Sequence, residues 1–227
     1  PIDKFIKRDS KLFDRASIKK ARSLLEPKEN VKPNPLFPLN EYMNLSQKCK
    51  DLVDKSENDP NVMFEVGICL IEGKNDFKVR TDIGIKFLEA AIKKGNIDSS
   101  VYYSRMLVNG DLIPEDLEKA IKILNKCPMN ENSEVPLLFG LIMLKIEEFK
   151  KAAEYFKISS KAGNGEGQFE LAKLLYEGKG IKKNTEEAMK LFRMSKKNGI
   201  NKCDQFLKQF DQLEHSIESP ENKSLSK

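Results

Sequence analysis

The chain has no tryptophan and only one histidine, His215, in 227 residues. A serine or cysteine nucleophile needs an adjacent base. A single histidine beside the C-terminal tail therefore excludes a Ser-His-Asp or Cys-His centre within the body of the chain. The four cysteines, Cys49, Cys69, Cys127 and Cys203, stand 20, 58 and 76 residues apart. No CxxC pair or Cys/His cluster occurs, so the spacing of a zinc site is missing. Wide, irregular spacing suits free thiols buried on apolar helix faces and a reducing compartment. No window approaches the ~18 consecutive apolar residues of a membrane span, and no secretory leader pattern is visible. The expected location is cytoplasmic. The glycine-rich pieces Gly163–Gly167 and Gly178–Gly180 have no strand before them and no Lys-Ser/Thr after them. They read as helix caps and turns, not as phosphate cradles.

Charge is plentiful but uneven. The net charge is +5, from 40 basic and 35 acidic residues. Residues 1–38 hold ten of the basic and five of the acidic residues, so the excess belongs to an N-terminal arm and the remainder is balanced. A nucleic-acid surface needs a dense basic stripe with reading elements. Here acids interrupt every basic cluster, and no nucleic-acid partner is expected. The acidic pairs Glu115-Asp116, Glu147-Glu148 and Glu186-Glu187 sit near helix starts, where the helix dipole favours them, and this reading outweighs acid–base chemistry.

The informative feature is internal repetition. In one register a small residue has apolar residues three before and three after it: Phe64-Gly67-Leu70, Val101-Ser104-Leu107, Leu137-Gly140-Met143 and Phe169-Ala172-Leu175. In a second register a small residue is followed by bulky apolar residues at +3 and +4 and a small one at +7. This gives Gly84-Phe87-Leu88-Ala91, Ala120-Ile123-Leu124-Cys127, Ala152-Tyr155-Phe156-Ser159 and Ala188-Leu191-Phe192-Ser195. Each register recurs every 32–37 residues, and its internal spacing is one face of an α-helix. The pattern predicts an all-α fold, a right-handed α-solenoid of antiparallel helix pairs, with about four repeats and flanking capping helices. An unrelated helical bundle is the competing architecture. Small residues let the paired axes approach closely. Asp59-Pro60 opens the first helix and Gly73 closes it, Asp98 opens the next pair, and Gly110 and Gly178 close their helices. Gly95, Gly163 and Gly199 follow the second helices, Asn184-Thr185 starts the last of these, and Pro128 stops the helix through Cys127.

The segment GQFELAKLLYEGKGIKKNTEEAMKLFRMSKKNG, residues 167–199, resembles a Sel-one-like repeat, a relative of the tetratricopeptide repeat. Leu171-Ala172, Leu175, Gly178, Gly180, Ile181, Ala188, Leu191-Phe192, Ser195 and Gly199 fill the family's pattern. Residues 64–95 and 101–127 are weaker copies. Residues 137–163 have lost the glycine-rich loop and should have tightly joined helices. The family's tryptophan is replaced by Phe87, Ile123, Tyr155 and Leu191, and the second loop glycine survives only in the fourth copy.

The expected organisation is a basic, proline-rich arm over residues 1–40, a solenoid over 41–215 and a disordered tail over 216–227. Within the arm, residues 1–25 read as a basic amphipathic helix and 26–38 as an extended linker. Residues 41–56 complete a preceding pair, and Phe206, Leu207, Phe210 and Leu213 cap the last repeat. Outward positions of the first helices fall two before and one or five after the central small residue. The resemblance implies that this concave face holds a peptide or partner domain. Its candidate residues are Glu65, Tyr102, Arg105, Asn109, Leu138, Leu141, Glu170 and Lys173. Tyr102 and Arg105 are the best anchor types, and Arg105 and Lys173 are placed to receive an acidic group. Leu138 and Leu141 form an apolar strip if exposed and belong to the core if buried. The implied function is a non-enzymatic adaptor or scaffold, in a family whose members assemble signalling and protein-degradation complexes. No catalytic residue, metal, cofactor or small-molecule substrate is expected. The alternative is a regulatory repeat region of a larger enzyme, with a protein-kinase domain upstream of Pro1. The secreted cysteine-rich class of these repeats needs a regular cysteine pair per repeat, which this chain lacks.

Overall fold

A computed structural model describes residues 34–218. The arm up to residue 33, including the predicted helix over 1–25, and the tail from residue 219 lie outside the described residues. Eleven α-helices and one short 3-10 turn make up the described part, which contains no strand. Two helices lead in, α1 (Leu39–Tyr42) and α2 (Gln47–Lys55). Four hairpins follow: α3 (Pro60–Glu72) with α4 (Thr81–Lys93), α5 (Ile97–Asn109) with α6 (Leu117–Leu124), α7 (Glu134–Lys145) with α8 (Phe149–Lys161), and α9 (Gly165–Glu177) with α10 (Thr185–Lys197). A 3-10 turn (Asn201–Cys203) leads into α11 (Asp204–Glu218). The hairpins stack in series, α4 on α5, α5 on α7, and α8 on α9, giving a right-handed α-solenoid. No described helix is long and apolar enough to cross a membrane.

Local chemistry starts and stops these helices. Asp59 accepts from the amides of Asn61 (2.8 Å) and Val62, and Pro60 occupies the first turn. Gly73, Gly110 and Gly178 close α3, α5 and α9 in the left-handed region that an L side chain resists. The second pair opens differently from the expectation. Asn96, not Asp98, is the cap, accepting from Ser99 N at 2.7 Å. Asn164 repeats this toward Gly167 N at 2.9 Å. In both places a Gly-Asn dipeptide ends one helix and caps the next. Helix α6 stops at Leu124, before Cys127, and only a turn separates it from Pro128.

One hydrogen bond closes every hairpin. The residue before each second helix donates its amide to the carbonyl three residues after the central small residue of the first. The pairs are Arg80 to Leu70 (2.7 Å), Asp116 to Leu107 (3.0 Å), Glu148 to Met143 (2.9 Å) and Asn184 to Leu175 (2.9 Å). The third hairpin reaches this closure through residues 146–148 alone, with Glu147 at φ 61°. It is the tight join predicted from its missing glycines.

The small residues mark close approach. A Cβ on Gly84 would lie 2.8 Å from the Gly67 carbonyl oxygen and 2.7 Å from Ile71 Cγ1, so backbone meets backbone there. A Cβ on Gly140 would lie 2.5 Å from Cδ1 of Phe156, which is fully buried.

Both ends are covered. Phe206 stacks on Phe192 (4.5 Å between centroids) and meets Phe169 and Tyr176 edge-on. Leu207 and Phe210 add to this cap. At the other end the structure departs from the linker reading. Phe37 is buried against Phe77 and Phe87. The Asn34 amide donates to Val53 O (3.1 Å) and Ser56 Oγ (2.9 Å). Asn34 and Phe37 are held because burying the Phe37 ring outweighs the extended preference of the flanking prolines, while Pro35, Leu39 and Asn40 stay exposed. At the other boundary α11 continues to Glu218, past residue 215. All four cysteines are free thiols, buried at Cys49, Cys69 and Cys203 and half-buried at Cys127.

Candidate functional site

The first helices of the hairpins share one face, and Arg105 ties it across three hairpins. Its guanidinium bonds Glu134 Oε2 (3.1 Å) at the start of α7 and Glu166 Oε2 (3.0 Å) at the start of α9. One side chain of the second hairpin thus holds carboxylates of the third and the fourth. The first helices form one layer of the solenoid, the inner layer, and the second helices form the other, the outer layer. Burial alone would lower the Arg105 pKa, but Glu166 and Glu134 outweigh it and hold the group above its ordinary value. Neither glutamate was picked out in the sequence. The available signal is register, since Asp98, Glu134 and Glu166 each stand six residues before the central small residue of their repeat.

Tyr102 lies one turn before Arg105. Its ring meets Phe64 edge-on at 6.1 Å, and its hydroxyl donates to Glu72 Oε1 at 2.9 Å. Burial and then the Glu72 carboxylate push its pKa up to about 12. The ammonium of Lys74 and then the Tyr102 hydroxyl hold Glu72 below the usual carboxylate range. Asn109 is exposed at the end of α5. Glu170 and Lys173 pair with each other at 2.7 Å, and the Lys173 ammonium sits 5.2 Å from the Phe169 ring centroid. Lys145 pairs with Glu115.

Two candidates fall elsewhere. Glu65 lines a small crevice with Lys48, Cys49, Leu52 and Asn75, between α2 and α3, away from the Arg105 cluster. Leu138 is wholly buried in the core, so it presents nothing to a partner. Helix α7 is apolar almost all round, and such a helix is enclosed by its neighbours. Leu141 is half-buried and touches the cores on both sides.

The layers differ in charge. The four first helices carry seven acidic and three basic residues. The four second helices carry six acidic and twelve basic. The inner layer is therefore negative and the outer layer positive. Arg105 and Lys173, expected to receive an acidic group, are both already engaged by carboxylates of this chain.

The Sel1 repeat family model matches residues 60–96, 98–126, 137–164 and 165–200. These blocks coincide with the four hairpins. No curated protein matches the sequence. Two solved structures share the fold. One is a protective antigen present in uropathogenic Escherichia coli strains that displays an SLR fold, with a TM-score of 0.63 and 22% identity over 74% of this chain and 38% of that one. The other is a Sel1 repeat protein from Oxalobacter formigenes, with a TM-score of 0.58 and 14% identity over 74% of this chain and 71% of that one. This chain thus spans well under half of the antigen's length. With its hairpins, their shared closure and the four matched blocks in agreement, the chain belongs to the Sel1 repeat family.

Proposed function

We propose that this protein is a non-enzymatic adaptor that holds a peptide or partner domain on the concave face of its first helices. Sel1 repeats are generally protein-interaction scaffold repeats and typically non-catalytic, and four of them stack here without interruption. The observation that carries the reading is the Arg105 bridge. It ties three hairpins into one preformed surface, so a partner meets a face already ordered and binding costs less conformational entropy. Tyr102, Arg105, Asn109, Leu141, Glu170 and Lys173 lie on it. The chain's own carboxylates occupy its cations, and the layer is net negative. A segment with basic side chains and an apolar anchor suits it best.

Selection of a random displayed-peptide library on the full chain tests this. Enriched peptides should be rich in Lys or Arg, and they should lose at least tenfold in affinity to a Tyr102→Ala, Glu170→Lys variant. A Lys122→Glu change on the outer layer should leave them bound. No enrichment, or enrichment indifferent to the inner-face changes, would overturn the reading.

A further inference from the structure

The outer layer carries a second surface. Helices α8 and α10 hold eight basic and three acidic residues. The acids are Glu154, Glu186 and Glu187, and Glu186 is taken by Lys190 at 2.6 Å. Lys150, Lys157, Lys161, Arg193 and Lys197 are exposed, and none has an ion-pair partner among the described residues. Lys157 and Glu187 line one shared cavity, with the loop residues Ile181–Asn184 between them. Between the cations stand two exposed apolar side chains, Ile158 (41%) and Met194 (49%). Each lies six residues after the small residue of its helix, Ala152 or Ala188, beside the line turned furthest from the core, which Lys161 and Lys197 occupy. Lys161 and Lys197 follow them by three positions and so share their helix face. In the earlier hairpins the same position holds Ala90 and Lys126. Away from Phe149, which is half-buried at the start of α8 with the Lys179 ammonium 5.8 Å from its ring centroid, the aromatic residues of α8 and α10 turn the other way. Phe156 and Phe192 are fully buried, and Tyr155 stacks on Phe139 at 5.2 Å.

We propose that the outer face of α8 and α10 docks on an anionic lipid surface. The face belongs to the second helices, the layer that does not carry the Arg105 bridge. It turns no aromatic ring outward on which a nucleic-acid base would stack. A bilayer interface takes both of its components: anionic headgroups attract the lysines, and the headgroup–acyl boundary receives Ile158 and Met194. Lysine stems reach past the apolar pair while their ammonium groups stay at the headgroups. This surface is separate from the inner face, so both can be occupied together.

Co-sedimentation of the full chain with vesicles is the test, comparing phosphatidylcholine alone with phosphatidylcholine mixed with phosphatidylserine. The protein should bind only the mixed vesicles, and added salt should release it. Binding should fall more than tenfold in Lys157→Glu, Lys161→Glu, Arg193→Glu, Lys197→Glu. It should fall about threefold or more in Ile158→Ser, Met194→Ser. Circular dichroism of both variants checks that helicity is kept. Should the charge-reversed chain lose helicity, the salt dependence and the serine variant still decide. Failure to bind the mixed vesicles overturns the proposal. So does binding that survives both variants, which would place it on the basic arm. Equal binding to a single-stranded oligonucleotide, with no effect of the serine substitutions, also overturns it, because the face would then be a general polyanion site.

Discussion

The first and third hairpins solve one geometric problem in opposite ways. In the first, two glycines face each other, and Gly67 and Gly84 bring backbone against backbone. In the third, Gly140 faces the ring of Phe156, and one side supplies all the room while the other fills it. Their connections differ as much. The first spans residues 73–80 and turns at Gly73, whereas the third spans residues 146–148 and turns at Glu147. Both nevertheless end in the same amide-to-carbonyl bond, Arg80 to Leu70 and Glu148 to Met143. The closure recurs from hairpin to hairpin, while the residues that meet at the helix crossing differ.

Replacements in the two hairpins test that contrast, beginning with the largest effect. Gly140→Ala should destabilise by about 3 kcal/mol, since the new methyl overlaps a fully buried ring and overpacking exceeds the gain in helix propensity. Adding Phe156→Leu should return more than half of that loss in urea unfolding. Gly84→Ala should lose about 2 kcal/mol, and trimming Ile71 to Val should recover little of it, because the nearest fixed neighbour is the Gly67 carbonyl oxygen. Equal rescue in the two hairpins would erase the distinction. Alkaline pH acts on the first hairpin through its flanking tyrosines. Burial, then Asp54, raises Tyr42 to about 12, and Tyr102 is likewise raised to about 12. An unfolded tyrosine ionises near pH 10. Above that pH the unfolded chain releases protons that the fold retains, so stability falls as pH rises from about 10 to about 12. Absorbance titration should show these two phenols ionising late, and Tyr102→Phe should flatten part of the stability loss. The smallest effect is expected at the third turn. Glu147→Gly should stabilise by roughly 0.5 kcal/mol by relieving a left-handed backbone, offset by the greater freedom of glycine in the unfolded chain.

What could be read in the sequence followed the range of the interactions. The two registers located all four hairpins, because a helix face repeats within a few residues of itself. The short third turn was readable from its missing glycines. The survival of Gly180 in the fourth copy finds its reason only in the fold: a Cβ there would lie 2.5 Å from Lys150 N, where the loop rests on the first turn of α8. Local cues misled where two residues compete for one role. Asp98 is a good cap by type, but Asn96 directly follows the left-handed Gly95 and takes the position. The proline-rich entry looks extended residue by residue, and distant partners anchor it: the rings of Phe77 and Phe87 at Phe37, and Val53 and Ser56 at Asn34. On the inner face, Tyr102 and Arg105 were visible as residue types. Glu72 shares that outward register, but the pairings were not readable, since Glu72 stands 30 residues from Tyr102, and Glu134 and Glu166 stand 29 and 61 residues from Arg105. Leu138 obeys the outward register and is buried all the same, because α7 is enclosed on nearly every side.

The Arg105 bridge also bears on mechanics. Stacked repeats are commonly described as a linear chain in which each unit senses only the one beside it. Here a single cation holds the third hairpin and reaches past it to the fourth. Bending stiffness over that stretch becomes a property of three units together, and strain at one of them reaches the next but one. The guanidinium is partly buried, so salt screens this tie less than an exposed pair, and the coupling between the three units should outlast the weakening of the surface ion pairs.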